Sequence, residues 1–243
     1  MNIILTNDDG YQTEGIQVLY KLLQDYGNVY LVAPHSHMSG ASVSRIFWSK
    51  MRVHKHDDRI YSVEGTPADS VALALFGLNI KADLVVSGIN DGPNLGADTV
   101  YSGTVGACME ALKYQVPAIA FSADANHLRQ AKKDLRKTLD FIFQHDLISK
   151  KYLLNVNFVS RRFASSKGIL ITDLGFRNTK HFYVEQDDHF VAKRQFVDEI
   201  FDEDTDLYAF NHGYISITPL KYANQSQRAL NEVRKKVMSV VKE

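Results

Sequence analysis

The chain has 243 residues, a length that suits one α/β domain, and 45% of them are hydrophobic, which excludes an intrinsically disordered protein. Its 28 basic and 28 acidic residues give a formal net charge of zero, so no overall basic field recruits a nucleic-acid polymer or anionic lipid. The single cysteine, Cys108, cannot form an intrachain disulfide, which excludes a disulfide-stabilised secreted protein and predicts a reducing, cytoplasmic location.

The first half of the chain alternates short apolar runs with helix-like stretches, which is typical of βα units in a mostly parallel sheet. Strands are predicted at residues 3–5, 29–32, 84–86, 118–121 and 152–158, with a hairpin between residues 50 and 63. Helices are predicted at residues 15–25, 67–76, 104–113 and 128–144. No apolar run approaches the roughly 18 residues of a membrane span, and the N-terminus lacks the basic region of a signal peptide, so we expect no membrane association.

From about residue 168 the pattern changes to strand-like runs without helices between them, which predicts a hairpin-rich C-terminal extension of the same domain. The runs lie at residues 169–171, 182–184, 190–191 and 214–217. A last helix is predicted from Gln225 to Val241, and the acidic run from Asp198 to Asp206 is interpreted as a solvated loop. Aromatic residues are dense here, and we expect some of them in a subunit interface. They are Phe182, Tyr183, Phe190, Phe196, Phe201, Tyr208 and Phe210.

Paired carboxylates follow the first predicted strand. Asp8 and Asp9 stand in the segment Thr6-Asn7-Asp8-Asp9-Gly10, at the carboxyl end of a parallel strand, where ligands bind in such sheets. Two adjacent carboxylates repel each other unless a cation neutralises them. The segment alone fits both a divalent-metal site and a solvated Asx turn.

A second loop, from His35 to Ser42, follows the second strand and should emerge at the same edge of the sheet. His35 and His37 suggest zinc, but no thiolate lies nearby, so surface histidines are the favoured interpretation, one of which could act as a general acid. Beyond this loop, Trp48 could stack on a nucleobase, although a core or hinge position is favoured.

The third loop runs from Ser87 to Gly103 and leads into a predicted helix. Ser102, Gly103 and Thr104 at the helix start offer backbone N–H groups, hydroxyl donors and the positive end of the dipole, which suit a phosphate, although an ordinary N-cap fits as well. Asn90 and Asn94 offer amide oxygens for a metal or amide donors for a phosphate.

The three loops should converge, because all of them leave the carboxyl ends of strands. Carboxylate, hydroxyl and amide oxygens together form a hard donor set that favours Mg²⁺ or Mn²⁺, with Ca²⁺ as a further occupant, over zinc. A metal of this kind beside a helix N-terminus suits the hydrolysis of a phosphate ester.

Several motifs carry a family resemblance. They are Asn7-Asp8-Asp9-Gly10, Ser39-Gly40-Ala41-Ser42, Gly65-Thr66-Pro67-Ala68-Asp69, Ser87-Gly88-Ile89-Asn90, Tyr101-Ser102-Gly103-Thr104-Val105 and Gly213-Tyr214-Ile215-Ser216-Ile217-Thr218-Pro219-Leu220. With these motifs the chain resembles the SurE family of stationary-phase survival proteins over most of its length. The resemblance implies a Rossmann-like, three-layer α/β fold. It also implies a metal-dependent nucleotidase that releases phosphate from nucleoside 5′-monophosphates, with 3′-monophosphates and short polyphosphate as side substrates.

The resemblance further implies roles for individual residues. The metal ligands would be Asp8, Asp9, Ser39 and Asn90, and the phosphate would be held by Asn94, Ser102, Gly103 and Thr104. A water activated by one Mg²⁺ or Mn²⁺ ion per subunit would attack the phosphate, with one of the two aspartates, more plausibly Asp8, as its base. The portion from about residue 168 to 243 would exchange between the subunits of a homodimer or homotetramer.

The sequence departs from the family pattern at a few positions. His35 and Met38 stand where the family has an Asp and a basic residue, and Thr13-Glu14-Gly15 replaces Ala-Pro-Gly. The residues also leave two other functions open. One is an aspartyl-phosphate phosphatase with Asp8 as the nucleophile, although Gly10 stands where its second Asp would be needed. The other is a non-catalytic nucleotide-binding module, although the Gly-x-Gly-x-x-Gly signature is missing after the first strand.

Overall fold

The computed structural model of the protein describes residues 1–176, 179–196 and 201–221. The first part contains β1 (Asn2–Thr6), α1 (Glu14–Leu23), β2 (Asn28–Pro34), β3 (Val53–Asp57), β4 (Ile60–Val63), α2 (Pro67–Ala72), β5 (Leu84–Asp91), α3 (Gly103–Lys113), β6 (Ala118–Ala123), α4 (Leu128–Gln144) and β7 (Leu153–Asn157). It is followed by β8 (Ile169–Ile171), β9 (Thr179–Gln186), β10 (His189–Phe196), α5 (Asp206–His212) and β11 (Ile215–Leu220). A π-helical turn, Leu73–Gly77, continues α2, and a 3₁₀ turn, Gly96–Val100, precedes α3.

A nine-stranded sheet forms the middle layer, in the order β3-β4-β2-β1-β5-β6-β7-β11-β8. The six strands from β4 to β7 in that order are parallel, and β3 and β11 run antiparallel to their neighbours β4 and β7. Strand residues alternate between the two faces, so Ile3 and Leu5 of β1 pack in one core and Ile4 packs in the other. The predicted three-layer α/β fold is therefore confirmed.

Helices cover both faces of the sheet. On the first face α1 and α4 bury their apolar residues, which are Ile16, Leu19, Leu23, Leu135, Leu139 and Ile142. On the second face α2 and α3 bury residues that include Val71, Val105, Ala107, Cys108 and Ala111. No helix in the described parts of the chain is both long and apolar enough to cross a membrane.

Strand β5 is longer than predicted. The segment from Ser87 to Asp91 was expected to be a loop, yet it continues the strand, and Asn90 and Asp91 pair with Ser122 and Ala123 of β6 after an irregularity in the register. Gly88 permits this close pairing, because a Cβ atom at that position would lie 2.3 Å from the carbonyl oxygen of Phe121. This polar segment therefore continues as a strand, because Gly88 has no Cβ atom and allows β6 to approach it closely.

The C-terminal region differs from the expectation of hairpins alone. Only β9 and β10 form a separate hairpin, whereas β8 and β11 extend the main sheet, with β8 parallel to β11. The unpredicted helix α5 stands between them, capped by Thr205, whose side chain accepts a hydrogen bond from the Tyr208 N–H, and closed by Gly213 in the left-handed conformation at φ 85°. The predicted helix from Gln225 to Val241 lies outside the described residues.

The acidic run is only partly a solvated loop. Asp202, Glu203 and Asp204 are exposed as expected, but Asp206 is fully buried at the start of α5. Its carboxylate accepts hydrogen bonds from the backbone N–H groups of Gly96 and Gly175, each at 2.8 Å, and so joins α5 to the turn before α3. Asp198 and Glu199 lie outside the described residues.

Two predictions about aromatic side chains have different outcomes. Trp48 is 98% exposed, so a core position is wrong, because the segment around it lies on the surface, whereas the hinge position stays a prediction. On the β9–β10 hairpin, Phe182, Tyr183 and Phe190 are also exposed, whereas Phe210 packs in a small core with Leu95 and Leu207, to which Phe201 adds. The expected subunit interface stays a prediction, and the Phe196 side chain lies outside the described residues.

A partly buried arginine, Arg45, anchors the segment that follows the second loop. The Nε of Arg45 donates a 2.8 Å hydrogen bond to Asp69 of α2, and its guanidinium also pairs with Glu110 of α3. Asp69 is fully buried and accepts from the backbone N–H of Thr66 as part of a capping box. The segment is therefore tied to both helices on the second face of the sheet.

Arg45→Ala should lower the free energy of unfolding by about 3 kcal/mol, because it leaves two buried carboxylates without their cation. Urea denaturation followed by circular dichroism measures this change. The matched control is Arg136→Ala, which removes an ion pair to Asp25 that is 56% exposed on both sides and should change the free energy of unfolding far less, because water screens exposed charges. Equal losses in the two variants would contradict the anchoring role.

Candidate functional site

The predicted loops meet at the carboxyl edge of the sheet and border one cavity of about 880 Å³. The predicted site residues that line it are Asp8, Asp9, Ser39, Asn90, Asn94 and Ser102. Gly103 and Thr104 are not part of its lining and lie behind Asp8. The convergence expected from the parallel strands is thus observed for six of the eight residues.

Asn7 shapes the first loop. Its side chain accepts a hydrogen bond from the Gly10 N–H at 3.2 Å and donates to the Gly10 carbonyl oxygen at 2.9 Å and to Thr13 at 3.0 Å. Asn7 itself is fully buried. The Asx turn and the paired carboxylates therefore coexist, because Asn7 closes the turn and leaves Asp8 and Asp9 to face the cavity.

Asp8 is held from the side of α3. It is only 3% exposed, and the Thr104 hydroxyl donates a 2.5 Å hydrogen bond to its Oδ1. Burial raises the pKa of Asp8 above its ordinary value, the Thr104 hydrogen bond opposes that rise, and the charge of Asp9 adds to it. Thr104 was expected to hold a phosphate, but it is fully buried and its hydroxyl proton is directed at Asp8 instead.

Gly103 is constrained by the same carboxylate. A Cβ atom at this position would lie 2.8 Å from the Cβ of Asp8, so any side chain here would displace Asp8. Glycine at this point therefore lets the start of α3 approach the end of β1.

Asp9 is held from the side of β5. The backbone N–H of Asp91 donates a 3.1 Å hydrogen bond to its Oδ2, and the Nδ1 of His37 lies 3.4 Å from its Oδ1. Burial raises the pKa of Asp9, while the hydrogen bond from Asp91 and the nearby His37 oppose the rise. Both carboxylates of the pair are thus costly to ionise, which favours a bound cation between them.

The remaining predicted ligands complete an all-oxygen donor set. The Nδ2 of Asn90 donates to the Gly92 carbonyl oxygen at 2.7 Å, which leaves its Oδ1 available to a ligand. Ser39 is exposed at the cavity, and its hydroxyl has no hydrogen-bond partner within the described residues. Two carboxylates, an amide oxygen and a hydroxyl fit a hard divalent cation such as Mg²⁺ or Mn²⁺.

The site does not resemble a zinc site built from acidic side chains, histidine and cysteine. In the part of the chain that the structure describes, no three His, Cys, Asp or Glu side chains gather in a geometry that could hold a metal. His35 bonds to Ser62 at 3.0 Å and does not line the cavity, whereas His37 lines it beside Asp9. The interpretation of His35 as a surface histidine agrees with its exposure.

Ser102 is the N-cap of α3 and lines the cavity at the same time. Its hydroxyl oxygen accepts a 3.1 Å hydrogen bond from the Val105 N–H, and the hydroxyl proton stays available to a ligand. The two interpretations of this residue, helix cap and anion donor, are therefore compatible, because capping uses only an oxygen lone pair.

Asn94 is positioned by a buried polar network that the sequence analysis missed. Its backbone N–H donates to Asn157, its side chain donates to Ser122 of β6, and its carbonyl oxygen accepts from Asn155 and Asn157 of β7, at 2.8 to 3.0 Å. The available signal was the alternation of Asn155 and Asn157 with Leu154 in a fully buried strand. Buried amides of this kind need partners, and here the partner is the third loop.

Three arginines also line the cavity. Arg161 and Arg162 follow β7, and Arg194 belongs to β10. Arg161 forms two side-chain hydrogen bonds with Asp124, at 3.0 and 3.2 Å, and Arg194 lies 3.6 Å from Asp98. Sequence reasoning did not single out these arginines, because β7 and β10 are far apart in the chain.

Comparison with known proteins identifies close relatives of this fold and site. A family model described as "Survival protein SurE" matches residues 3–181. The "5'-nucleotidase SurE" of Actinobacillus succinogenes is 39% identical over 241 residues, which cover 95% of this chain and 97% of that protein. The protein of the same name from Haemophilus influenzae strain KW20 is 40% identical over 231 residues, 91% of each chain. The crystal structure of the SurE protein from Aquifex aeolicus matches with a TM-score of 0.83 and 34% identity, covering 97% of this chain and 99% of that one.

The raised pKa of Asp8 predicts a pH dependence of stability for the metal-free protein. Ionising Asp8 costs more in the folded chain than in the unfolded one, so the contribution of Asp8 to stability should become less favourable as the pH rises from the ordinary value of 3.8 through the raised pKa. Asp8→Asn removes this cost, and the variant should therefore gain stability relative to wild type as the pH approaches neutrality. Thermal unfolding of EDTA-treated proteins over a pH series measures the difference.

Asp58→Asn is a control of opposite sign. The hydrogen bond from Lys55 lowers the pKa of Asp58, so this variant should lose stability relative to wild type as the pH rises through the ordinary range of a carboxyl group. If Asp8→Asn followed the same trend as Asp58→Asn, burial would not be the dominant influence on Asp8.

Proposed function

The chain belongs to the SurE family, and from this membership and the geometry of its site we propose that it is a metal-dependent phosphatase acting on nucleoside 5′-monophosphates. The enzyme is a hydrolase of the 5′-nucleotidase type, as are the curated relatives by name. The observation that carries the proposal is the carboxylate pair of buried Asp8 and partly buried Asp9, which shares one cavity with Ser39, Asn90 and Ser102.

Four residues would hold one divalent ion in this proposal. They are Asp8, Asp9, Ser39 and Asn90, whose oxygen atoms suit Mg²⁺ or Mn²⁺ and also accept Ca²⁺. When bound, such an ion supplies positive charge to the phosphoryl oxygens and lowers the pKa of a water molecule.

The phosphate group would bind against the start of α3. The Ser102 hydroxyl is a free donor there, and the helix dipole favours an anion at the same place. Asn94, held rigidly by Asn155 and Asn157, would contribute a further donor through its side-chain amide. Positioning of the phosphate by fixed donors is the main contribution that a protein makes to phosphoryl transfer.

Water would attack in line and break the bond between phosphorus and the ester oxygen, giving a nucleoside and inorganic phosphate. We assign the removal of the water proton to Asp8, because its burial raises its pKa above the ordinary value of 3.8 and makes it a stronger base than an exposed aspartate. Thr104 would act as a positioning residue, since its hydroxyl donates a hydrogen bond to Oδ1 of Asp8 and so fixes the orientation of that carboxylate.

Metal removal tests the proposal directly. EDTA-treated protein should release no phosphate from nucleoside 5′- or 3′-monophosphates, and added Mg²⁺ or Mn²⁺ should restore release, as measured by a colorimetric phosphate assay. Asp9→Asn should reduce the restored rate about a thousandfold, because it weakens the charge stabilisation that the site supplies. The exposed Asp25 offers the matched control, and Asp25→Asn should keep the wild-type rate.

Two results would contradict this mechanism. Tight nucleotide binding without phosphate release under any metal would favour the non-catalytic binding module. A phosphate trapped covalently on Asp8 would favour the aspartyl-phosphate mechanism, in which this carboxylate attacks phosphorus itself.

We also infer that the chain forms a homodimer or homotetramer in which the β9–β10 hairpin contacts another subunit. The hairpin pairs with no strand of the main sheet in the described chain, and its Tyr183 and Phe190 are more than 60% exposed. Light scattering should report a mass of two or four chains, and Tyr183→Glu with Phe190→Glu should shift it towards one chain. Phe76→Glu, at an exposed phenylalanine elsewhere, should not, and a monomeric wild type would refute the inference.

A further inference from the structure

The cavity extends well beyond the carboxylate pair. Asp8 follows β1 and Arg162 follows β7, and these strands lie three positions apart in the sheet, in the order β1-β5-β6-β7. Neighbouring strands are about 4.8 Å apart, so the two ends of the cavity are separated by about 14 Å. The site is therefore long enough to receive more of a substrate than the phosphate that reacts.

Arg162 is an uncompensated cation at the far end. The neighbouring Arg161 is bound to Asp124, whose carboxylate also accepts from the Arg161 backbone N–H at 2.7 Å and from Ser160 at 3.3 Å. The guanidinium of Arg162 forms no hydrogen bond or ion pair with any residue in the ranges that the structure describes, and it lines the cavity. Asp124 is thus occupied by Arg161, and Arg162 is left for a ligand.

Arg194 of β10 also borders the cavity, and its guanidinium lies 3.6 Å from Asp98. Its charge is thus shared with an acidic residue, whereas that of Arg162 has no such neighbour among the described residues. Guanidinium groups bind phosphate through paired, charge-assisted hydrogen bonds.

A nucleoside monophosphate has no charged group that could bind Arg162 while its phosphate lies at the carboxylate end. Its whole charge lies on the phosphate, which the proposed function places against Asp8 and Asp9, so only an uncharged base or sugar would reach Arg162. A substrate with a second phosphate further along the molecule would satisfy both ends of the cavity.

We propose that Arg162 forms a second phosphate subsite, so that short oligonucleotides with a 5′-terminal phosphate bind better than nucleoside monophosphates. The inference rests on the proposed function, because the terminal phosphate reacts at the carboxylate end by the same hydrolysis. The internal phosphodiester is bound at the arginine end and is not cleaved.

The test compares a 5′-phosphorylated trithymidylate with thymidine 5′-monophosphate. In Arg162→Gln, the ratio of kcat/KM for the trinucleotide to kcat/KM for the mononucleotide should fall about tenfold. The fall should come from a higher KM for the trinucleotide, with its kcat unchanged. Arg162→Lys should recover part of the ratio. Arg52→Gln removes the same charge from a largely exposed arginine that does not line the cavity, and it should leave the ratio unchanged.

Salt dependence provides an independent readout. Binding of the trinucleotide, measured by fluorescence anisotropy on Asp9→Asn protein, should weaken with salt more steeply than binding of the mononucleotide. Arg162→Gln in this background should reduce the slope of log affinity against log salt by about 0.7, the value for one phosphate contact in a single strand. A short polyphosphate in place of the trinucleotide identifies whether the subsite needs the nucleosides: equal dependence on Arg162 means that it reads the phosphate alone.

Several results would overturn the subsite. They are an unchanged substrate ratio in Arg162→Gln, a parallel loss for the mononucleotide, and a salt slope that does not respond to the substitution. Failure of the proposed function is distinguishable from these, since it would abolish phosphate release from both substrates in the wild type while the anisotropy measurement still tests the subsite.

Discussion

The repulsion between two neighbouring carboxylates is the constraint on which the rest of the site depends. Asp8 and Asp9 stand side by side at the end of β1, and burial raises the pKa of both. Each is held by a different element, Asp8 by the Thr104 hydroxyl of α3 and Asp9 by the Asp91 N–H of β5. The two carboxylates therefore link the end of β1 to the start of α3 and to the end of β5. Two adjacent negative charges repel each other, but the same pair is well suited to bind a cation.

Buried polar groups extend this organisation outward. The side-chain amides of Asn155 and Asn157 lie in the fully buried strand β7, and both donate to the backbone carbonyl oxygen of Asn94. Arg45 performs a comparable task between α2 and α3, where it neutralises two buried carboxylates. In both cases a polar residue inside the fold requires a particular partner, and this requirement places a loop that borders the cavity.

Much of the fold could be predicted from periodicity alone, since most predicted strands and helices of the first half lie within a few residues of the observed ones. The predictions failed where local sequence and tertiary contact disagree. The end of β5 contains Gly88 and polar residues, yet it pairs with β6. Helix α5 is short and follows an acidic run, and the buried contacts of Asp206 with Gly96 and Gly175 explain why it forms. Asp206 lies 110 positions from Gly96 and 31 from Gly175, so a local sequence pattern cannot predict these contacts.

The sequence by itself determined the class of the fold, the family and the identity of most of the residues that meet at the cavity, because parallel strands with polar residues at their carboxyl ends can converge only at one edge. The tertiary structure alone decided how each of these residues is held. It directs Thr104 at Asp8 rather than at the cavity and makes the Ser102 hydroxyl oxygen the cap of α3. It also pairs Arg161 with Asp124, while Arg162 has no partner among the described residues. The physical reason is that the identity of a hydrogen-bond donor is written in the sequence, whereas its direction and its burial depend on neighbours brought together by the whole sheet.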